Sequence, residues 1–134
     1  AMEAALAEPR GPNVHFAGLV EGGERLELLA DTDVLVYPSA DEVFGLVPFE
    51  GLLCGAPVVV ADDCGCGELI AEAGAGLLVR YGDIDGIRSR VRTLLEDVES
   101  AQAMVGRGRR YVREQLGFTS IADRHVAVYE QVAM

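Results

Sequence analysis

Short apolar runs between glycine- and proline-rich turns fill the first eighty residues, and longer stretches with helical spacing follow them. The segments 14–17, 33–37, 57–61 and 76–79 are too short for helices and rich in Val, Leu and aromatic residues, so each reads as a strand. Near-continuous apolar character in Asp33-Val-Leu-Val-Tyr37 and Pro57-Val-Val-Val-Ala61 marks strands buried on both faces, as in a parallel sheet. Between them the spacing predicts helices over about 24–30, with Leu26 and Leu29 inward, near 47–54, and over 67–73, stopped by Gly74. Pro48 suits a first helical turn, where the N–H it lacks would be unpaired. Gly51 inside the same helix costs about 0.5–1 kcal/mol relative to Ala. Residues 2–8 read as the end of a helix and 9–13 as a turn.

Beyond residue 80 the pattern is helical. Asp83 can cap a helix to about residue 98, with Ile84, Ile87, Val91, Leu94, Leu95 and Val98 on one stripe. Ser100 can open a second helix through Gln115, with Gly117 as its stop. Thr119 or Ser120 can open a third, carrying Ile121, His125, Val128, Tyr129 and Val132. The alternation predicts an α/β fold: a Rossmann-like parallel sheet of about four strands with flanking helices, in a single domain over 1–134.

Charge and cysteine content narrow the partners. There are 22 acidic residues against 11 basic ones, all of them Arg, for a net charge of −11. That balance argues against nucleic acid, whose binding rests on basic groups neutralising phosphates. It also means that a diphosphate would be held locally, by backbone N–H groups and a helix terminus. Cys54, Cys64 and Cys66 form no disulfide framework, and Cys64 and Cys66 are too close in sequence for an ordinary zinc half-site. Free thiols and no metal are expected. No apolar run approaches the ~20 residues that span a bilayer. No basic start followed by an apolar stretch opens the chain, so a cytoplasmic location is expected.

The densest chemistry lies in Glu42-Val-Phe-Gly-Leu-Val-Pro-Phe-Glu50, a loop and helix start that follow a buried strand. Ligands of parallel α/β sheets sit at the carboxyl ends of strands, where loop N–H groups and a helix N-terminus favour an anion. Carboxylates beside such a site are suited to accept hydrogen bonds from hydroxyls, as on a sugar or ribose. Taken alone, Glu50 can equally complement its helix N-terminus, worth ~0.3–1 kcal/mol, and Glu42 can sit in a solvated loop. Gly65-Cys66-Gly67-Glu68 matches a dinucleotide fingerprint only in part, because Ile70 stands at the third glycine position. A tight turn explains those glycines without a ligand, and an NAD-dependent dehydrogenase reading lacks its fingerprint. His15 and His125 read as structural histidines, and Arg107-Gly-Arg-Arg110 as a solvated helix face.

The ordered set Pro38-Ser39, Glu42-Val-Phe-Gly-Leu46, Glu50, Gly55-Ala-Pro-Val-Val59 and Gly65-Cys-Gly-Glu68 resembles the GT-B-fold glycosyltransferases of the retaining group 1 or family 4 class, with their Glu-x7-Glu motif. Val14-His-Phe-Ala-Gly18, Gly76-Leu-Leu-Val79 and Gly117-Phe-Thr119 extend the likeness over nearly the whole chain, with Phe118 where Trp is common. The resemblance implies a donor-binding half that binds a nucleotide diphosphate sugar. It implies that Glu42 acts at the donor sugar near the reacting carbon and that the backbone of Val43, Phe44 and Gly45 holds sugar hydroxyls. Leu46 and Val47 would present N–H groups to the diphosphate, Glu50 would bind the ribose, and Gly18 would border the nucleobase. No cofactor and no metal are implied.

In that family an acceptor-binding N-terminal domain, two strands and an Arg/Lys pair precede the segment that begins here at Ala1. The resemblance thus implies a domain truncated at its N-terminus and inactive by itself. A non-catalytic nucleotide- or sugar-binding module, or an assembly module of a split enzyme, is the alternative. Missing central strands would leave the strands at 14–17 and 33–37 with open edges, which predicts a homodimer or higher oligomer. Direct pairing of those two strands through a right-handed crossover at 18–32 is the competing expectation.

Overall fold

The computed structural model describes residues 12–133. Its nine elements are α1 (Gly22–Ala30), β1 (Leu35–Tyr37), α2 (Val47–Cys54), β2 (Val58–Ala61), α3 (Gly65–Ala73), β3 (Leu77–Val79), α4 (Ile84–Glu96), α5 (Val98–Gln115) and α6 (Phe118–Val132). The three strands form one parallel sheet in the order β1-β2-β3, with Leu35 opposite Val58 and Val59 opposite Leu77. The α/β class and the parallel sheet are as the sequence implies.

β2 lies in the middle, and all four of its side chains are buried. Its period-2 alternation divides the core. Val58 and Val60 join Phe49, Leu52, Ile70 and Val105 on one face, while Val59 joins Val79, Leu94 and Ala101 on the other. Each buried Val or Leu contributes about 1.5–3 kcal/mol against exposure, so this strand and the helices over it hold the sheet together.

The strand expected at 14–17 is not one: this segment joins no ladder among the described residues. A strand exists only as a paired strand, and the outer edge of β1 receives no partner there; the direct 14–17 to 33–37 pairing does not form either. Among the described residues the sheet therefore has three strands, not about four. The helix end expected at 2–8 lies outside the described residues, as does most of the 9–13 turn. Leu29 is buried as expected, but Leu26 is exposed, because this nine-residue helix meets the body along a single line against α2. Along α4 only Leu94 is buried, with Ile87 and Val91 half-buried, whereas Ile84 and Leu95 face solvent, as does Val98 at the start of α5. Asp97, not Ser100, separates the two helices: its carboxylate accepts from Ser100 N–H at 3.0 Å, breaking the stripe one residue before Val98. Asp83 caps α4 as expected, accepting from Gly86 N–H at 2.8 Å. α6 starts at Phe118 with Gly117 at its N-cap and buries none of its residues.

In the Arg107–Arg110 cluster Arg107 and Arg110 are exposed, as on a solvated face, but two of its arginines also bridge to other helices. Arg107 Nε donates to Gly74 O at 2.7 Å and Arg109 Nε to Leu52 O at 3.1 Å, so α5 caps the carboxyl ends of α3 and α2. Gly108 between them lets the helices close: a Cβ there would stand 2.7 Å from Leu52 Cδ1. The short range of side-chain patterning hides this, because the carbonyls come from elements 33 and 57 residues away.

Two stability predictions follow from the packing. A Cβ on Gly67 would run into the Ala61 carbonyl oxygen, which is backbone and cannot turn aside, whereas one on Gly51 would meet only the tip of Leu35, 2.6 Å away. Gly67→Ala is therefore expected to lower unfolding free energy by ~1–3 kcal/mol, as overpacking does. Gly51→Ala is expected to be milder, because its gain in helix propensity offsets a movable clash; denaturant melts of both variants check this. In the same core cluster, burial first and then neighbouring Cys64 push the Cys66 thiol from its ordinary 9.0 up to about 12. The folded chain then keeps that proton while the unfolded chain releases it. Cys66 costs no stability below about pH 9, and its contribution drains away as pH rises from there toward about 12. Unfolding free energy measured at pH 8 and at pH 10.5 is expected to fall more in the natural protein than in Cys66→Ala.

Candidate functional site

The parallel sheet brings the carboxyl ends of β1 and β2 to one edge, where the loop 38–46 and the starts of α2 and α3 meet. Asp41 takes a left-handed φ of 55° and Gly45 one of 76°. Asp tolerates that region, but at Gly45 the surroundings crowd a side chain as well, and its neighbours would have to give by a few tenths of an ångström. A Cβ there would stand 3.1 Å from Tyr37 Cε1, 3.2 Å from Cys66 Sγ and 3.3 Å from Glu42 Cγ. The loop also lies on the first turn of α3, for a Cβ on Gly65 would be 2.6 Å from Val43 O. Gly65 and Gly67 are thus explained by close packing, and Ile70 is wholly buried in the core.

Glu42 is half-buried in this loop, and the Tyr37 hydroxyl donates to its Oε2 at 2.9 Å. Burial raises the Tyr37 phenol above its ordinary 10.0, with the Glu42 carboxylate adding to the rise, so the hydroxyl stays a donor. One Glu42 oxygen is therefore anchored. Phe44 stacks on Phe49 with ring centroids 5.6 Å apart, tying the loop tip to α2. Val43 and Leu46 point outward, 90% and 64% exposed. Leu46 is the N-cap of α2, and its carbonyl accepts from Phe49 and Glu50 N–H at 3.0 and 3.1 Å. The amides of Leu46 and Val47 precede that first hydrogen-bonded turn, in the part of a helix whose donors lack intrahelical acceptors.

Glu50 stands in the first turn of α2, and Arg25 Nη1 from α1 donates to its Oε2 at 2.8 Å. The structure thus gathers Glu42, Val43, Phe44, Gly45, Leu46, Val47 and Glu50 in one loop and helix start. Gly18 stands apart from close contacts: φ is 69° and nothing lies within 4 Å of a Cβ there. Sequence reasoning missed Tyr37 and Arg25. Tyr37 was within reach of it, as the last strand residue five before Glu42; Arg25, twenty-five residues from its partner, carried no local signal.

Cys64 and Cys66 are buried free thiols, with sulfurs 3.2 Å apart, and Cys64 Sγ donates to Ala61 O at 3.3 Å. Among the described residues no three His, Cys, Asp or Glu side chains come together as metal ligands. His125 Nδ1 pairs with Ile121 O at 2.8 Å within α6, as a structural histidine does, while His15 is exposed and lies in no strand. An open apolar trough of about 660 Å³ runs between α3, α5 and α6 and reaches the loop only at Phe44; neither glutamate lines it. The carboxylates, strand ends and helix starts, rather than this trough, carry the polar chemistry. No helix among the described residues is long and apolar enough to cross a membrane.

Comparison with known proteins places the chain in a family. The chain is 31% identical over 114 residues to glycogen synthase from Mycobacterium tuberculosis, covering 85% of this chain and 28% of that protein. Its structure is similar to sucrose-phosphate synthase from Thermosynechococcus elongatus, with a TM-score of 0.76 at 29% identity over 91% of this chain and 31% of that one. It is also similar to Anabaena HepE in complex with UDP, with a TM-score of 0.70 at 25% identity over 78% and 29% of the two chains. The chain thus spans about three-tenths of the length of these proteins. The family model described as Glycosyl transferases group 1 matches residues 2–111, so the chain belongs to the group 1 glycosyltransferases, with their GT-B, Rossmann-like fold.

Proposed function

We propose that residues 1–134 are a partial nucleotide-sugar-binding domain, the donor half of an enzyme that moves a sugar from a nucleotide diphosphate sugar to an acceptor with retention. The observation that carries this reading is the closed loop from Glu42 to Glu50, set at the carboxyl ends of parallel strands in a chain of this family. The UDP bound to the similar HepE supports a nucleotide as the ligand class.

In this reading the diphosphate lies against the amides of Leu46 and Val47 at the start of α2, where the helix dipole favours negative charge. That local field offsets a net charge of −11, which would otherwise repel a diphosphate. Glu50 accepts the ribose hydroxyls. Glu42, held by Tyr37, accepts from hydroxyls of the sugar and sits nearest the reacting carbon. The backbone of Val43, Phe44 and Gly45 contacts the same sugar, and Gly45 is the residue that lets it come close. Gly18 borders the nucleobase. The acceptor is bound by residues outside this chain, and the edge of β1 that no described residue pairs is open to a further strand or to a second copy.

Glu50→Gln is expected to weaken binding of nucleoside diphosphate by ~1–3 kcal/mol, the range for a hydrogen bond to a charged group. Glu42→Gln is expected to spare free nucleoside diphosphate and weaken only the intact sugar donor. Calorimetry on the complete protein with a panel of UDP, GDP and ADP sugars decides; unchanged affinities in both variants would overturn the assignment. The 134-residue chain alone is expected to give no sugar transfer above background by mass spectrometry. Nucleotide binding by the complete protein without transfer would favour the binding-module alternative instead.

A further inference from the structure

Arg25 is the residue that the donor site holds without an assigned role. Its guanidinium crosses from α1 to Glu50 on α2, with Nη1 to Oε2 at 2.8 Å, and the two side chains are 42% and 26% exposed. The other ion pair among the described residues, Arg88 with Asp85, lies three positions apart on one exposed helix face. Arg25 with Glu50 is thus the pair that joins two elements. A pair this exposed contributes about 0–1 kcal/mol to stability, little more than the entropy of fixing two long side chains. Its use must be sought in what it does to Glu50.

Three effects coincide there. A glutamate has three side-chain torsions, and a contact with a guanidinium narrows them. Among the described residues only one bond, to Oε2, is made, which leaves Oε1 and the second lone pair of Oε2 for hydroxyl donors. The guanidinium also cancels a carboxylate charge beside the place proposed for a diphosphate. Only 11 basic residues stand against 22 acidic ones in this chain, and this one is spent on the glutamate of the helix start.

We propose that Arg25 is a positioning residue for the ribose: it holds Glu50 in the orientation that accepts the sugar hydroxyls, and so sets affinity for the nucleotide part of the donor. This rests on the reading of Glu50 as the ribose acceptor. Leu29 anchors α1 independently of Arg25, so the helix need not unfold when the guanidinium is removed.

The test is calorimetry on the complete protein with whichever of UDP, GDP or ADP binds, together with its 2′,3′-dideoxy analogue. Arg25→Gln is expected to weaken the ribonucleotide by about tenfold, with Arg25→Lys recovering part of that loss. The same change is expected to have no effect on the dideoxy analogue and no further effect in a Glu50→Gln background. An equal loss with the dideoxy analogue or in that background would overturn the proposal, by giving Arg25 a phosphate contact or a role in the fold. No loss in Arg25→Gln, while Glu50→Gln does weaken binding, would overturn the proposal alone. A Glu50→Gln protein with unchanged ribonucleotide affinity would overturn the ribose reading and this proposal together.

Discussion

A strand buried on both faces must be covered from both sides, and the helices packed on the sheet answer to that requirement of β2. Its four side chains lie out of water, with Val58 and Val60 facing one way and Val59 the other. Helices α2, α3 and α5 cover the first face, and α4 with the start of α5 covers the second. Parallel neighbours need crossover connections, which carry the chain back along the outside of the sheet. The loops after β1 and β2 consequently end up side by side at one edge. The candidate site is the by-product of that geometry: the glutamate loop and the start of α3 are neighbours because their strands are.

Close approach at that edge depends on absent side chains. Gly45 and Gly65 let loop, ring, thiol and helix meet within van der Waals distance, so the loop is a packed part of the core's rim. Tyr37 and Arg25 then each take one oxygen of one glutamate. Among the described residues each carboxylate is thus held through a single oxygen.

Arginine supplies all eleven basic residues of an acidic chain, and among the described residues three of these side chains reach partners 25 or more positions away. Arg107 and Arg109 close the carboxyl ends of α3 and α2, and Arg25 closes on Glu50. A planar guanidinium with several fixed donors can reach a carbonyl across a helix interface while its stem packs on apolar surface. The cluster at 107–110 therefore belongs to the architecture of the sheet's cover, although its local pattern is that of a solvated face.

Much of this protein is written locally. Apolar runs of four or five residues, glycine stops and the capping Asp83 are short-range signals, so β1, β2, β3 and most helix spans were legible from sequence. So was the grouping of Glu42 through Glu50, whose spacing puts a loop and a helix start together without any distant contact. Local signals cannot say whether a strand finds a partner, and the segment at 14–17 has strand composition but no ladder. Nor can they say which arc of a stripe is covered, as Leu26, Ile84 and Leu95 show by facing solvent. Asp97 took the cap expected of Ser100: its carboxylate accepts from the Ser100 N–H, so the helix starts about one turn earlier. The partners of Arg25, Arg107 and Arg109 lie 25, 33 and 57 residues away. Only packing of the helices on the sheet chose them, because a side-chain hydrogen bond depends on proximity in space and leaves no period in the chain.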